Sequence, residues 1–155
     1  MIKINLITNN KSWNKYFKNP SNYISKKTSN LNKNLKKYKN RDIFCTLLLT
    51  DNNEIKKLNK KFRKKNKTTD VLSFPFYDKN ELKKKLNKEK QIYLGDIVVN
   101  LNKIKIKKKK FRNFREEFNK LWIHGLVHLL GYDHKKDSDF YKMTKIEKKF
   151  LSFIG

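Results

Sequence analysis

The sequence lacks the features of a secreted or membrane protein. It has a single cysteine among 155 residues, Cys45, which excludes an intramolecular disulfide. No apolar run approaches the length of a membrane span, and residues 1–8 alternate apolar and polar side chains instead of forming a secretory signal. We therefore expect a cytoplasmic protein with no membrane partner. In it, Cys45 is a buried, unreactive thiol or, as the alternative, a fourth metal ligand.

Acidic residues and arginines are also scarce. The chain has 14 Asp+Glu against 40 Lys+Arg, which gives a formal net charge of +26. This charge predicts binding to a polyanion, and we favour nucleic acid over an anionic membrane surface. Lysine drift on solvated faces is the alternative, because Asn, Ile and Lys are abundant together, as an AT-rich genome favours. Since arginine offers a planar fork of donors that lysine lacks, the few arginines are candidates for specific contacts: Arg41, Arg63, Arg112 and Arg115.

Hydrophobic patterns predict one domain over residues 1–155 with an α+β fold. Strand patterns cover residues 2–7, 43–49, 71–76 and 94–100, and Pro75 places the third at a sheet edge or a strand end. Helical spacing occurs within 22–38, after Asp51 or Asn53, over 111–130 and over 137–153. We expect one mixed sheet of about four to five strands packed with about five helices, and a helix-rich C-terminal half.

The same patterns predict which side chains are buried. The helix after residue 51 presents an apolar stripe of Ile55, Leu58 and Phe62. Residues 78–90 form a charged excursion with no obvious core. The last helix has a longer apolar side, made of Phe140, Met143, Ile146, Phe150 and Phe153.

All histidines of the chain lie in one short window, at His124, His128 and His134. On a helix, His124 and His128 lie one turn apart on the same face. Gly131 can end that helix in the left-handed conformation, which lets the chain bring His134 back as a third ligand. Three imidazoles with an open fourth position are typical of catalytic zinc sites, so we predict one Zn²⁺ per chain. The alternative is that His124 and His128 are packed core residues.

A related spacing, H-E-x-x-H-x-x-G-x-x-H, occurs in metzincin proteases. There the glutamate takes a proton from zinc-bound water. In this chain the corresponding residue is Gly125, which has no side chain. The predicted metal site therefore survives, whereas peptidase chemistry lacks its general base.

Two stretches together resemble the YbeY family of metal-dependent endoribonucleases. One is the histidine window, and the other runs from Leu58 through Arg63 into Thr-Asp-Val-Leu-Ser-Phe-Pro at 69–75. Residues 94–97, Leu-Gly-Asp-Ile, match a weaker family element, and the resemblance spans residues 43–153. One departure is Lys120, where many members have a further histidine that is not a ligand.

The resemblance implies a zinc-dependent, single-strand-specific endoribonuclease of late 16S rRNA 3′-end maturation and ribosome quality control. Its partners would be small-subunit ribosomal RNA and pre-ribosomal particles, with no small-molecule cofactor. Arg63 would line the catalytic cleft and stabilise the transition state. Gly131 and Asp133 would support the ligands, Asp133 by orienting an imidazole rather than as the base. Contacts to the RNA backbone would come from Lys107, Lys108, Lys109, Lys110, Arg112 and Arg115.

Two other readings stay open from the sequence. One is a non-catalytic assembly factor that binds ribosomal RNA and holds a structural metal. The other, disfavoured by Gly125, is a metalloprotease-like hydrolase. Tight RNA binding and slow RNA cleavage require similar surfaces, so the sequence does not separate the first of these from the nuclease.

Overall fold

The computed structural model describes residues 1–8, 10–104 and 111–155. These residues form four strands and five α-helices, with three short 3₁₀ turns, and strands alternate with helices as far as the fourth helix. Their order is β1 (Ile2–Thr8), α1 (Pro20–Asn34), β2 (Asp42–Thr50), α2 (Asn52–Arg63), β3 (Val71–Pro75), α3 (Lys79–Lys88), β4 (Gln91–Asn100), α4 (Phe111–Leu129) and α5 (Asp137–Ile154). Within this described part, no helix is long and apolar enough to cross a membrane.

The strands form one mixed sheet in the order β1-β2-β4-β3. β1 pairs with β2 and β2 with β4 in parallel, whereas β3 pairs with β4 antiparallel. The predicted α+β class, the mixed sheet and the number of helices are therefore confirmed. Pro75 lies on an edge strand as expected, because an interior strand would need the N–H that proline lacks.

The two faces of the sheet are covered unequally. On one face the main core takes alternate strand residues, among them Ile43, Leu47 and Ile97, and packs them against α1, α4 and α5. On the other face a small cluster of Ile55, Leu72 and Val98 lies under α2. The second face is thus covered at one end only.

An aromatic cluster fixes α4 over the main core. Trp13 and Phe17 pack with Phe114 and Phe118 of α4, with ring centroids 5.0 to 6.1 Å apart across the two segments. The Trp13 indole also donates to the Thr50 carbonyl over 3.1 Å, which satisfies its buried N–H. The N-terminal segment therefore positions the helix that carries two of the histidines.

Helix α2 begins at the cap that the sequence predicts, and it continues for one turn beyond its last buried residue. Asp51 caps it by accepting the Glu54 N–H at 3.1 Å, and Lys64 ends it with φ 58°. Phe62 was expected in the buried stripe, but it is 58% exposed. It lies in the last turn of α2, where its ring packs against Phe74 of the edge strand.

Two further expectations about burial are wrong. Phe140 is 60% exposed because it lies in the first turn of α5, ahead of the buried Met143. Residues 78–90 are not an excursion without a core, since they form α3, which buries Leu82 in the main core. Asp78 and Glu81 form a reciprocal capping box, the local signal that starts this helix.

Candidate metal centre

Helix α4 presents two imidazoles on one side. His124 and His128 are one turn apart, with ring centroids separated by 4.6 Å, and both are half-buried. The helix then ends in a Schellman motif, in which the Gly131 N–H donates to the His128 carbonyl and the Tyr132 N–H to that of Val127. Gly131 has φ 89°, a conformation that a residue with a β-carbon rarely adopts. The turn predicted at Gly131 is therefore present.

The turn brings the third histidine to the other two. The His134 ring lies 5.9 Å from that of His124 and 5.0 Å from that of His128, between centroids. One nitrogen from each of the three rings lies within 4.8 Å of the others. Among the described residues no fourth His, Cys, Asp or Glu joins this cluster, and Cys45 lies in the main core instead. The arrangement fits a metal ion with three protein ligands and open coordination positions.

Hydrogen bonds at the far ring atoms orient two of the ligands. The Nδ1 atom of His124 lies 2.6 Å from a Glu147 carboxylate oxygen, and that of His128 lies 3.0 Å from the Tyr132 carbonyl. Both partners are hydrogen-bond acceptors, so each Nδ1 carries the hydrogen and each Nε2 keeps a lone pair for a metal. Burial, followed by the neighbouring His124 and His134, lowers the pKa of His128, which favours the neutral ligand form.

Glu147 is the functional residue that the sequence analysis missed. It comes from α5, 23 positions after His124, and its side chain is 24% exposed. A signal was present, because Glu147 lies next to Ile146 and between Met143 and Phe150 on the apolar side of an amphipathic helix. A carboxylate on such a face needs a partner, and His124 provides it.

Asp133 supports the loop rather than an imidazole. Its carboxylate accepts the backbone N–H of His134 at 2.7 Å and lies 3.5 Å from the Lys135 ammonium group. It therefore fixes the backbone that carries the third ligand. The orienting contacts to rings come from Glu147 and Tyr132.

The position of the protease glutamate is closed by packing. A β-carbon at Gly125 would lie 2.6 Å from Ile97 Cγ2 and 3.1 Å from Ser73 Oγ. This position of α4 faces the sheet and not the imidazoles, and it allows the helix to approach the strands closely. A glutamate could not occupy it without moving the helix, which adds a steric argument against peptidase chemistry.

Arg63 reaches the sheet from the opposite side. Its Nη2 donates to the Ser73 carbonyl at 2.7 Å, and its guanidinium lies 5.7 Å from the centroid of the Phe74 ring. The Ser73 side chain faces Gly125, the neighbour of His124. Arg63 and the metal centre therefore border the same residue of β3. Asp70 is a turn residue here, since its carboxylate accepts the Val71 N–H.

The predicted RNA-backbone residues do not form one described surface. Lys107, Lys108, Lys109 and Lys110 lie outside the described residues, as does the side chain of Arg112. Arg115 is exposed, donates to the Tyr16 carbonyl at 3.3 Å and stacks near Phe17 and Tyr23. Nine helical positions separate it from His124, a rotation of about 180° and a rise of about 13 Å, so it faces away from the imidazoles.

Comparison with known proteins decides the family. The family model described as Endoribonuclease YbeY matches residues 7–155. The chain belongs to the YbeY family. A Pelagibacter ubique relative named Endoribonuclease YbeY is 44% identical over 99% of this chain and 97% of its own length. One from Ehrlichia chaffeensis with the same name is 36% identical over 100% of this chain and 94% of its own.

A solved structure has a similar fold. The solution structure of TM1509 from Thermotoga maritima superposes with a TM-score of 0.59 at 27% identity, covering 99% of this chain and 89% of that one. The resemblance to the YbeY family that the histidine window and residues 58–76 predict is thereby confirmed.

Proposed function

We propose that this protein is a zinc-dependent, single-strand-specific endoribonuclease that acts in the cytoplasm on small-subunit ribosomal RNA. In this proposal the reaction belongs to late 16S rRNA 3′-end maturation and ribosome quality control, on pre-ribosomal particles. The observation that carries it is the trihistidine cluster, whose outer nitrogens are held by Glu147 and Tyr132 while a basic residue, Arg63, borders the same strand. Membership of a family described as an endoribonuclease supplies the substrate class.

The donor set suits a catalytic zinc ion. Three neutral imidazoles give a site that keeps exchangeable positions, whereas a structural zinc site is usually closed by four protein ligands. A zinc ion held by His124, His128 and His134 would supply Lewis acidity, which activates water and polarises a phosphoryl oxygen near neutral pH. Glu147 keeps His124 in the ligating tautomer, and the Tyr132 carbonyl does the same for His128.

Arg63 provides positive charge for the transition state. Hydrolysis of a phosphodiester accumulates negative charge on the phosphoryl oxygens, and a guanidinium fork can donate to two of them. The Ser73 carbonyl engages Nη2, and within the described residues the other N–H groups of Arg63 have no partner. The side chain is thus anchored at one atom and able to donate from the others.

A paired assay tests the proposal. Wild-type protein and His128→Ala are loaded with zinc, the bound metal is quantified, and both are incubated with labelled ribosomal RNA fragments. We expect about one zinc per wild-type chain and cleavage of unpaired RNA, with both lost in the variant. Glu89→Gln is the control, because this exposed carboxylate pairs only with Lys85 on α3.

The assay also separates the competing functions. If both proteins bind RNA equally and neither cuts it, the chain is a non-catalytic assembly factor and the nuclease proposal fails. Digestion of casein by zinc-loaded wild type would instead support a peptidase, against the packing around Gly125.

A further inference from the structure

The sheet face under α2 carries aromatic side chains beyond the end of that helix. In the register of the sheet, Val98 of β4 lies between Leu48 of β2 and Leu72 of β3. Ile55 of α2 covers this part of the face. Further along the strands, Phe44 is aligned with Tyr93, and the described residues place no helix over them. This half of the face is therefore open.

Its aromatic groups form two ring pairs on and beside β3. Phe76 is 65% exposed and its ring centroid lies 6.0 Å from that of Tyr93, which is 37% exposed. Phe62 is 58% exposed, and its ring centroid lies 5.4 Å from that of Phe74. We call Phe62, Phe74, Phe76 and Tyr93 the aromatic platform. Large exposed rings grouped in this way mark an interaction surface rather than ordinary surface scatter.

Hydrogen bonds tie two platform residues to the sheet. The Phe76 N–H donates to the Leu94 carbonyl at 2.8 Å, so the residue is held to β4 although it follows the strand. The Tyr93 hydroxyl donates to Asp96 at 2.5 Å and lies 2.8 Å from Thr46 Oγ1. Contacts of this kind reduce the conformational freedom that these two residues lose when a ligand binds.

Cations accompany the rings. The Arg63 guanidinium lies 5.7 Å from the Phe74 centroid and the Lys61 ammonium 5.2 Å from that of Phe62. Asp96 is the opposing charge on this face, but its carboxylate is engaged by Tyr93. Exposed rings beside a backbone-seeking charge are the combination that binds single-stranded nucleic acid, since every unpaired base has a face that stacks.

The platform and the metal centre lie on opposite faces of the sheet, and both border β3. Ser73 of β3 contacts the Gly125 position of α4, and its carbonyl accepts from Arg63. Beyond Phe76 the chain enters α3, where Leu82 and Lys79 lie 3.5 and 3.7 Å from the β-carbon position of Gly131, at the turn between the ligands. Residues 73–79 therefore run from the platform along the side of the histidines.

We propose that the aromatic platform stacks the unpaired bases of the RNA segment that flanks the cleavage site. This inference rests on the proposed function for the identity of the RNA but on the platform for its binding mode. It assigns to Phe76 and Tyr93 the selection of single-stranded over duplex RNA, because paired bases cannot present their faces to these rings.

Binding is measured apart from cleavage. Metal-free wild type, Phe76→Leu/Tyr93→Leu and Tyr141→Leu are titrated into a fluorescent single-stranded RNA and into its duplex in the presence of EDTA. Tyr141 is a matched control, because it is 70% exposed but lies on α5 over the other sheet face. We expect at least about tenfold weaker single-strand binding for the double variant, with duplex binding and the control unchanged.

The inference is overturned if the double variant and wild type bind single-stranded RNA with equal affinity. It is also overturned if the double variant differs from wild type in its oligomeric state alone. If the double variant is poorly folded by circular dichroism, Phe76→Leu alone is used, with a severalfold loss expected. Photo-crosslinking of 5-bromouridine RNA to wild type, mapped by mass spectrometry, gives a second test. Adducts in residues 74–77 or 91–96 support the platform, whereas adducts found exclusively outside these ranges oppose it. Absence of cleavage by zinc-loaded wild type would instead refute the proposed function and leave these binding results intact.

Discussion

Replacement of Glu147 tests whether the contact at His124 Nδ1 prepares the metal site. The two groups are 2.6 Å apart and the carboxylate is 24% exposed, so this hydrogen bond is partly shielded from water. Outer partners of ligating histidines contribute about 10- to 100-fold to metal affinity. At about 1.4 kcal/mol per tenfold change, that is about 1.4 to 2.8 kcal/mol.

Two variants divide this effect. Glu147→Gln keeps an oxygen that can accept from Nδ1 but removes the charge, so we expect a loss of about tenfold. Glu147→Ala also frees the imidazole to rotate, and the loss should approach about 100-fold. Zinc affinity is measured by competition with a chromophoric chelator.

Glu117→Gln is the matched control. This carboxylate lies on α4, is 32% exposed and also has a partner at 2.6 Å, but the partner is Lys120 and not an imidazole. Its zinc affinity should equal that of wild type. If both Glu147 variants also bind zinc within twofold of wild type, the contact at His124 does not orient the ligand and the reasoning is refuted.

Further predictions concern Arg63, Gly125, Cys45 and Lys64. Arg63→Ala should retain zinc and lose most RNA cleavage, and undiminished cleavage in a gel assay would remove the residue from the mechanism. Gly125→Ala should lower the free energy of unfolding by about 1 to 3 kcal/mol in urea, since its β-carbon would meet Ile97 at 2.6 Å. Burial, followed by the charge of Asp96, raises the pKa of Cys45 to about 12, so iodoacetamide should modify this thiol only after unfolding. Lys64→Gly should stabilise the protein by about 0.5 to 1 kcal/mol in the same urea titration, because Lys64 has φ 58°.

The parts of the fold that could be predicted are those with a strong local period. β2 alternates buried and half-buried residues from Ile43 to Leu47, and α5 repeats Met143 and Phe150 at helical spacing. The histidine cluster belongs to the same class, since its spacing and Gly131 lie within one window. In each case the residues that carry the sequence pattern are the same residues that form the strand, the helix or the cluster.

The errors arose where burial depends on distant residues. α3 buries Leu82, whose Cδ2 atom lies 3.5 Å from the β-carbon position of Gly131, a residue far along the chain. Phe62 and Phe140 occupy the correct helical phase, but they lie in terminal turns, past the ends of the surfaces against which their helices pack. Helical phase identifies the inner side of a helix and not the length over which it is covered.

Glu147 was missed for a related reason. Its partner His124 is brought to it only when α5 packs against α4, and no local spacing encodes that contact. The useful sign is the presence of an acidic residue on an apolar helical side. Since burying an unpaired carboxylate is costly, such a residue indicates a polar partner on the neighbouring element.

The edge of β3 is protected without a covering helix. An exposed edge invites pairing with another strand, and proteins usually cover or block it. Here the outward-facing groups are blocked individually, because Pro75 has no N–H to offer and Arg63 occupies the Ser73 carbonyl. No additional helix is then needed to protect this edge from pairing with another strand. The contact with the Ser73 carbonyl thus gives Arg63 a structural role even before any substrate binds. For this reason, zinc retention and RNA cleavage by the Arg63→Ala variant must be measured separately.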